Sequence, residues 1–120
     1  MNKINLIVIM LLGLVSTAQA ANFQVPKTQT IVQMQTYKTY AVIEYSPGET
    51  NALACGANAS VSSKKAAIVF GDDANWKVQY AAALSAYLNG KTVGMGITNS
   101  PCFSGFGGGI PTIYRLDVTD

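Results

Sequence analysis

The sequence predicts a small, mainly β domain (β+α): a five-stranded barrel with one helix between the third and fourth strands. Three observations carry that prediction. Several segments are rich in Thr, Val, Ile and Tyr, residues that suit a pleated surface. One stretch, residues 71–91, switches to helical spacing. Removal of an export signal leaves 120 − 20 = 100 residues, the length of one domain with a modest core.

Residues 1–20 have the three parts of a secretory signal peptide. Met1-Asn2-Lys3 is a short positive start, Ile4 to Val15 is apolar apart from Asn5, and Ala18-Gln19-Ala20 supplies a small-x-small cleavage site. The apolar run is about a dozen residues, against the roughly 20 that span a bilayer. That length disfavours the competing reading, a retained anchor, and no Cys near the cleavage site suggests a lipoprotein. The expected mature chain is residues 21–120, a single secreted or periplasmic domain with no stable membrane insertion. Loss of Lys3 leaves 8 − 1 = 7 basic and 6 acidic residues, a net charge of +1. The basic residues form no stripe, and Lys64-Lys65 is their only adjacent pair. A nucleic-acid partner would require a more positive groove.

Residues 21–27 contain Pro26 and read as an extended lead. Thr28 to Tyr45 alternates, with Ile31, Gln33 and Gln35 on one face and Val32, Met34 and Thr36 on the other. It is too long for one ordinary strand. It predicts two, 28–36 and 39–46, joined near Lys38, or one strand bent by a bulge. Ser46-Pro47-Gly48-Glu49 is a turn. Residues 51–63 predict a short strand around Cys55 and then a loop carrying the sequon Asn58-Ala59-Ser60. Residues 65–70, KAAIVF, predict a buried third strand.

The helix follows, with Asp72 or Asp73 as N-cap. Trp76, Tyr80, Ala83, Leu84, Tyr87 and Leu88 form its apolar stripe, and Asn89-Gly90 ends it. The stripe implies that the helix plugs the barrel core. Residues 91–98 predict the fourth strand, with Val93, Met95 and Ile97 opposite Gly94 and Gly96. Glycines on one strand face permit close backbone approach. Residues 112–118 predict the last strand.

The chemistry-bearing residues are few. The chain has no His, which removes Ser-His-Asp and Cys-His machinery. Asp72-Asp73 is the only acidic pair, and adjacent residues at a helix start read as capping rather than acid/base catalysis. Glu44 and Glu49 have no visible partner. No catalytic residue, metal ligand set or cofactor fingerprint is assigned. Cys55 and Cys102 both lie in the exported part, where an even count reads as a disulfide. That bond would close a loop of about 48 residues, worth roughly 4 kcal/mol in the chain-entropy model.

The stretch PCFSGFGGGIP, residues 101–111, raises the question of a phosphate loop. A P-loop requires a Lys after its glycines and then a helix, and a dinucleotide fingerprint also requires a helix. Here Pro111 and a strand follow, so the stretch reads as a strand-to-strand loop pinned by Cys102. Its exposed aromatics, Phe103 and Phe106, either pack beneath the loop or contact a ligand.

Three strands, a helix and two strands is the order of an OB-fold. The segment YAAALSAYLNGKTVGMGI, a Cys-bearing loop and then PTIYRLDV resembles a group of small secreted bacterial OB-fold proteins. It is similar to the B subunits of subtilase-type and pertussis-like A–B toxins, in which a helix likewise ends at a Gly with a short strand just beyond. The resemblance implies a binding module for cell-surface glycans and a homo-oligomer. None of the toxins' sugar-contact residues has a match here, and some of those subunits have two disulfides. The expected function is a non-enzymatic binding module recognising a glycan or a partner protein. The alternatives are an accessory or structural envelope protein and a carboxylate-based hydrolase.

Overall fold

The computed structural model describes residues 22–48, 55 and 64–119. The signal segment, Glu49 and the sequon at Asn58 lie outside them, as does the strand expected around Cys55, apart from Cys55 itself. The elements are β1 (Asn22–Thr36), β2 (Tyr40–Ser46), β3 (Lys64–Val69), α1 (Asn75–Asn89), β4 (Thr92–Phe103) and β5 (Ile110–Val118). The strands close in the order β1-β2-β3-β5-β4, with α1 between β3 and β4. All pairs are antiparallel except β3 with β5. The architecture is the expected five-stranded, OB-like barrel.

The N-terminal lead is a strand, which corrects the sequence reading. β1 has 15 residues because it serves two neighbours in turn. Asn22 to Thr30 pairs with β4, and Thr30 to Thr36 pairs with β2. Pro26 falls in the irregular register between Val25 and Gln29, where its missing N–H breaks no regular ladder. The split between β1 and β2 falls near Lys38 as expected, and a separate bulge lies between Ile31 and Gln33. It leaves Val32 exposed and puts Ile31 on the buried side, so the alternation of Ile31 with Gln33 and Gln35 fails across it. The β1–β2 link is a tight turn in which Tyr37 N donates to Tyr40 O at 2.8 Å.

The core is formed by inward residues of every strand, among them Ile43 and Tyr45 of β2, Ile68 of β3, Val93, Met95 and Ile97 of β4, and Ile113 of β5. Helix α1 touches β1, β3, β4 and β5, and buries Ala83 and Ala86. Trp76 and Tyr80 are half-buried against the core, where Phe70 stacks on Trp76 at 4.2 Å. The apolar stripe is narrower than the sequence suggested: Leu88 is 72% exposed, and Tyr87 is also exposed. The cap differs as well. The N-cap position is Ala74, with no side-chain cap; Asp73 Oδ1 instead accepts from Asn75 N at 3.0 Å, one residue too early to be the cap. Gly90 ends the helix at φ 66°, a left-handed conformation suited to Gly, and Lys91 N donates to Ala86 O.

β4 continues to Phe103, beyond the predicted end at residue 98. Of PCFSGFGGGIP, only residues 104–109 form the loop to β5.

Candidate functional site

Strand register determines what the barrel shows on its outer β1–β2–β3 face. Ala41, Ile43 and Tyr45 point inward, so Tyr40, Val42 and Glu44 point outward. Their partners on β3 are Val69, Ala67 and Lys65, and on β1 Gln35 and Gln33 sit opposite Val42 and Glu44. The Glu44–Lys65 cross-strand pair is an ion pair of 3.7 Å, giving Glu44 the partner that the sequence did not show.

The β1–β2 turn and the β4–β5 loop meet at one end of this face. Tyr37, in the turn, stacks on Tyr40 with ring centroids 4.5 Å apart and planes 15° apart. Tyr40 in turn lies 4.5 Å from the Phe103 ring, and Phe106 meets Tyr37 edge-on at 6.4 Å. The Tyr40 hydroxyl donates to Gly105 O at 3.1 Å, tying turn to loop. The Lys65 ammonium sits 5.5 Å from the Phe106 centroid, within cation–π range.

Phe103 and Phe106 are therefore brought together, but not as exposed contacts. Both are half-buried and pack with Tyr40 over Val42, Ala67 and Ile110, a second apolar cluster outside the barrel. The exposed ring is Tyr37, at 40%. The sequence reading puts Tyr40 on the second strand and Tyr37 at the join near Lys38, and does not single out the stacked pair they form. Two tyrosines flanking a turn were the available signal.

Cys55 and Cys102 are bonded, with Cα atoms 5.9 Å apart. Cys55 is buried in the main core, and Cys102 packs against it. The bond fastens the β2–β3 connection to β4 one residue before Phe103. Among the described residues the acids are spread out: Glu44 pairs with Lys65, Asp117 with Arg115 at 3.2 Å, and Asp73 binds Asn75. Among the described residues, no group of three or more His, Cys, Asp or Glu could hold a metal ion.

No protein-family model and no curated protein matches this chain.

The fold and its surface chemistry therefore carry the functional reading. A concavity lies between α1 and β5, a groove of about 290 Å³ lined by Asn75, Val78, Gln79, Tyr114, Arg115 and Leu116. Its polar groups are largely engaged within the protein. Gln79 Nε2 donates to Tyr114 O, Arg115 binds Asp117 and Gln24, and Gln24 binds the Tyr114 hydroxyl. The β1–β2–β3 face instead offers an exposed ring with its inner side already supported. Along the same face lie two amides and an ion pair able to exchange hydrogen bonds with a polar ligand.

Proposed function

We propose that this chain is an exported, non-enzymatic binding module that recognises a glycan on the outer β1–β2–β3 face. The observation that carries this reading is the Tyr37 platform. Its ring is exposed, stacked from behind by Tyr40, and placed where the β1–β2 turn meets the β4–β5 loop. OB-folds use this combination of strands and loops to bind oligosaccharides and oligonucleotides, a fold-level analogy. A flat ring supports the apolar face of a sugar, while Gln33, Gln35, Glu44 and Lys65 offer donors and acceptors to its hydroxyls. The pairing of Lys65 with Glu44 disfavours a phosphate backbone as ligand. The bonded cysteines are those of an oxidising compartment, in keeping with the signal-like N-terminus. The resemblance to toxin B subunits supports the same ligand class, and a homo-oligomer would gain avidity from several weak sites.

A protein partner is the second reading, favoured by Val32, Tyr37 and Val69, large apolar side chains exposed on β1, the turn and β3. A glycan array probed with the disulfide-bonded domain, wild type beside Tyr37→Ala, separates them. The glycan reading expects binding that Tyr37→Ala weakens at least about tenfold, in line with loss of a central aromatic contact. Absence of any bound glycan would leave the protein-partner reading.

A further inference from the structure

OB-folds bind their ligands on the strand 2–3 face. Here part of it is covered by the chain itself. Val42, Ala67 and Ile110 are fully buried although they lie outside the barrel core, because Tyr40, Phe103 and Phe106 pack on them. We propose that residues 104–109 are a hinged flap whose Phe106 ring plugs an apolar slot beside Tyr37, and that lifting the flap opens the slot to an aromatic group carried by the glycan.

The flap has firm ends and a lightly held middle. Cys102 is anchored by its disulfide just before it, and Ile110 is buried just after it. Between them, Ser104, Gly105, Gly107 and Gly108 are exposed. The middle is held to the barrel by the Phe106 ring and by Tyr40 Oη donating to Gly105 O, while Gly109 N donates to Phe106 O within the flap at 3.0 Å. Gly107 at φ 53° and Gly109 at φ 97° provide backbone that can swing where other residues would be strained. The slot's chemistry is shown by its present occupant: an aliphatic floor of Val42, Ala67 and Ile110, the Tyr37 edge at one side and the Lys65 ammonium at 5.5 Å. That is a fit for one flat six-membered ring.

The consequence for a ligand rests on the proposed binding face, but the motion can be tested without one. Ala66 and Ala67 are adjacent and both fully buried, one facing the barrel interior and the other the flap. The thiols introduced by Ala66→Cys and Ala67→Cys are each treated with N-ethylmaleimide in the native, disulfide-bonded protein. A flap predicts that the position 67 thiol reacts much faster and at a rate independent of low urea, the signature of local opening. The position 66 thiol should react only through urea-dependent global unfolding. Adding Phe106→Ala should speed the position 67 reaction by about tenfold, the loss expected for a half-buried ring, and leave position 66 unchanged.

Gly105→Ala tests the flap without emptying the slot. A Cβ there would lie 2.6 Å from Phe103 Cζ, so the flap must rise or the Phe103 ring must shift, and either movement uncovers the cluster and makes position 67 react faster. Phenol at millimolar concentration should slow the reaction in the Phe106→Ala background by refilling the slot. Equal, urea-dependent rates at positions 66 and 67 would overturn the flap. No protection by phenol would overturn the slot. Glycan binding can fail without altering either result.

Discussion

Gly94 and Gly96 share one strand and one outward face, yet Ala substitution should affect them very differently. A Cβ on Gly94 would lie 2.8 Å from Lys27 Cγ, 2.9 Å from Val25 O and 3.0 Å from Lys27 N. Two of those atoms are β1 backbone, so relief requires β1 to move away from β4 beside the Val25–Met95 pair. Overpacking of this kind costs about 2–3 kcal/mol. A Cβ on Gly96 would come closer still, 2.5 Å from Tyr114 Cζ, but all three of its nearest atoms belong to the Tyr114 side chain. That ring is 41% exposed and can swing outward, giving up its hydrogen bond with Gln24. The loss is offset by the roughly 0.5–1 kcal/mol that Ala gains over Gly in a strand, so Gly96→Ala should cost about 1 kcal/mol or less. Urea denaturation with a shared m-value measures both. In a Tyr114→Ala background, Gly96→Ala should become neutral or stabilising, because the atoms it meets are gone. Equal destabilisation by Gly96→Ala and Gly94→Ala, or a Tyr114→Ala background that fails to relieve Gly96→Ala, would show that the Tyr114 ring cannot yield.

Three further outcomes follow from the packing. Cys55→Ser with Cys102→Ser should lower stability by about 4 kcal/mol, from the 47-residue separation in the chain-entropy model, read as a drop in urea midpoint. Trp76→Ala should cost about 2 kcal/mol, below the 3–5 of a fully buried aromatic, because Trp76 is half-exposed and stacks on Phe70; thermal unfolding checks it. Gln29→Met should cost about 1–3 kcal/mol in the same assay, because buried Gln29 Oε1 accepts from Gly48 N at 2.8 Å and Met leaves that donor without its acceptor.

Much of the barrel was legible because its signals are local. KAAIVF, the alternation through Val93, Met95 and Ile97, and the left-handed stop at Gly90 all depend on near neighbours in sequence. What escaped depends on distant ones. Asn22 to Val25 form a strand only because β4 offers an edge to them, and Pro26 survives there because the register is already irregular. Tyr87 and Leu88 have helical spacing, but the barrel end meets α1 only along Ala83, Ala86 and the first turns. For the site, Phe103 and Phe106 were found by composition. Their burial was not, since it follows from a loop folding back onto β2 and β3. Tyr37 became prominent only when its exposed ring was seen supported by Tyr40.

Ligand binding at the Tyr37 face is tested by an amide chemical-shift titration of the ¹⁵N-labelled domain with a glycan selected on the array. Shifts should be confined to residues 33–37, 40–44, 65–69 and 103–109, and be absent in Tyr37→Ala at the same concentration. Shifts centred instead on Asn75, Gln79 and Tyr114 to Leu116 would place the ligand in the groove between α1 and β5 and contradict binding at the Tyr37 face.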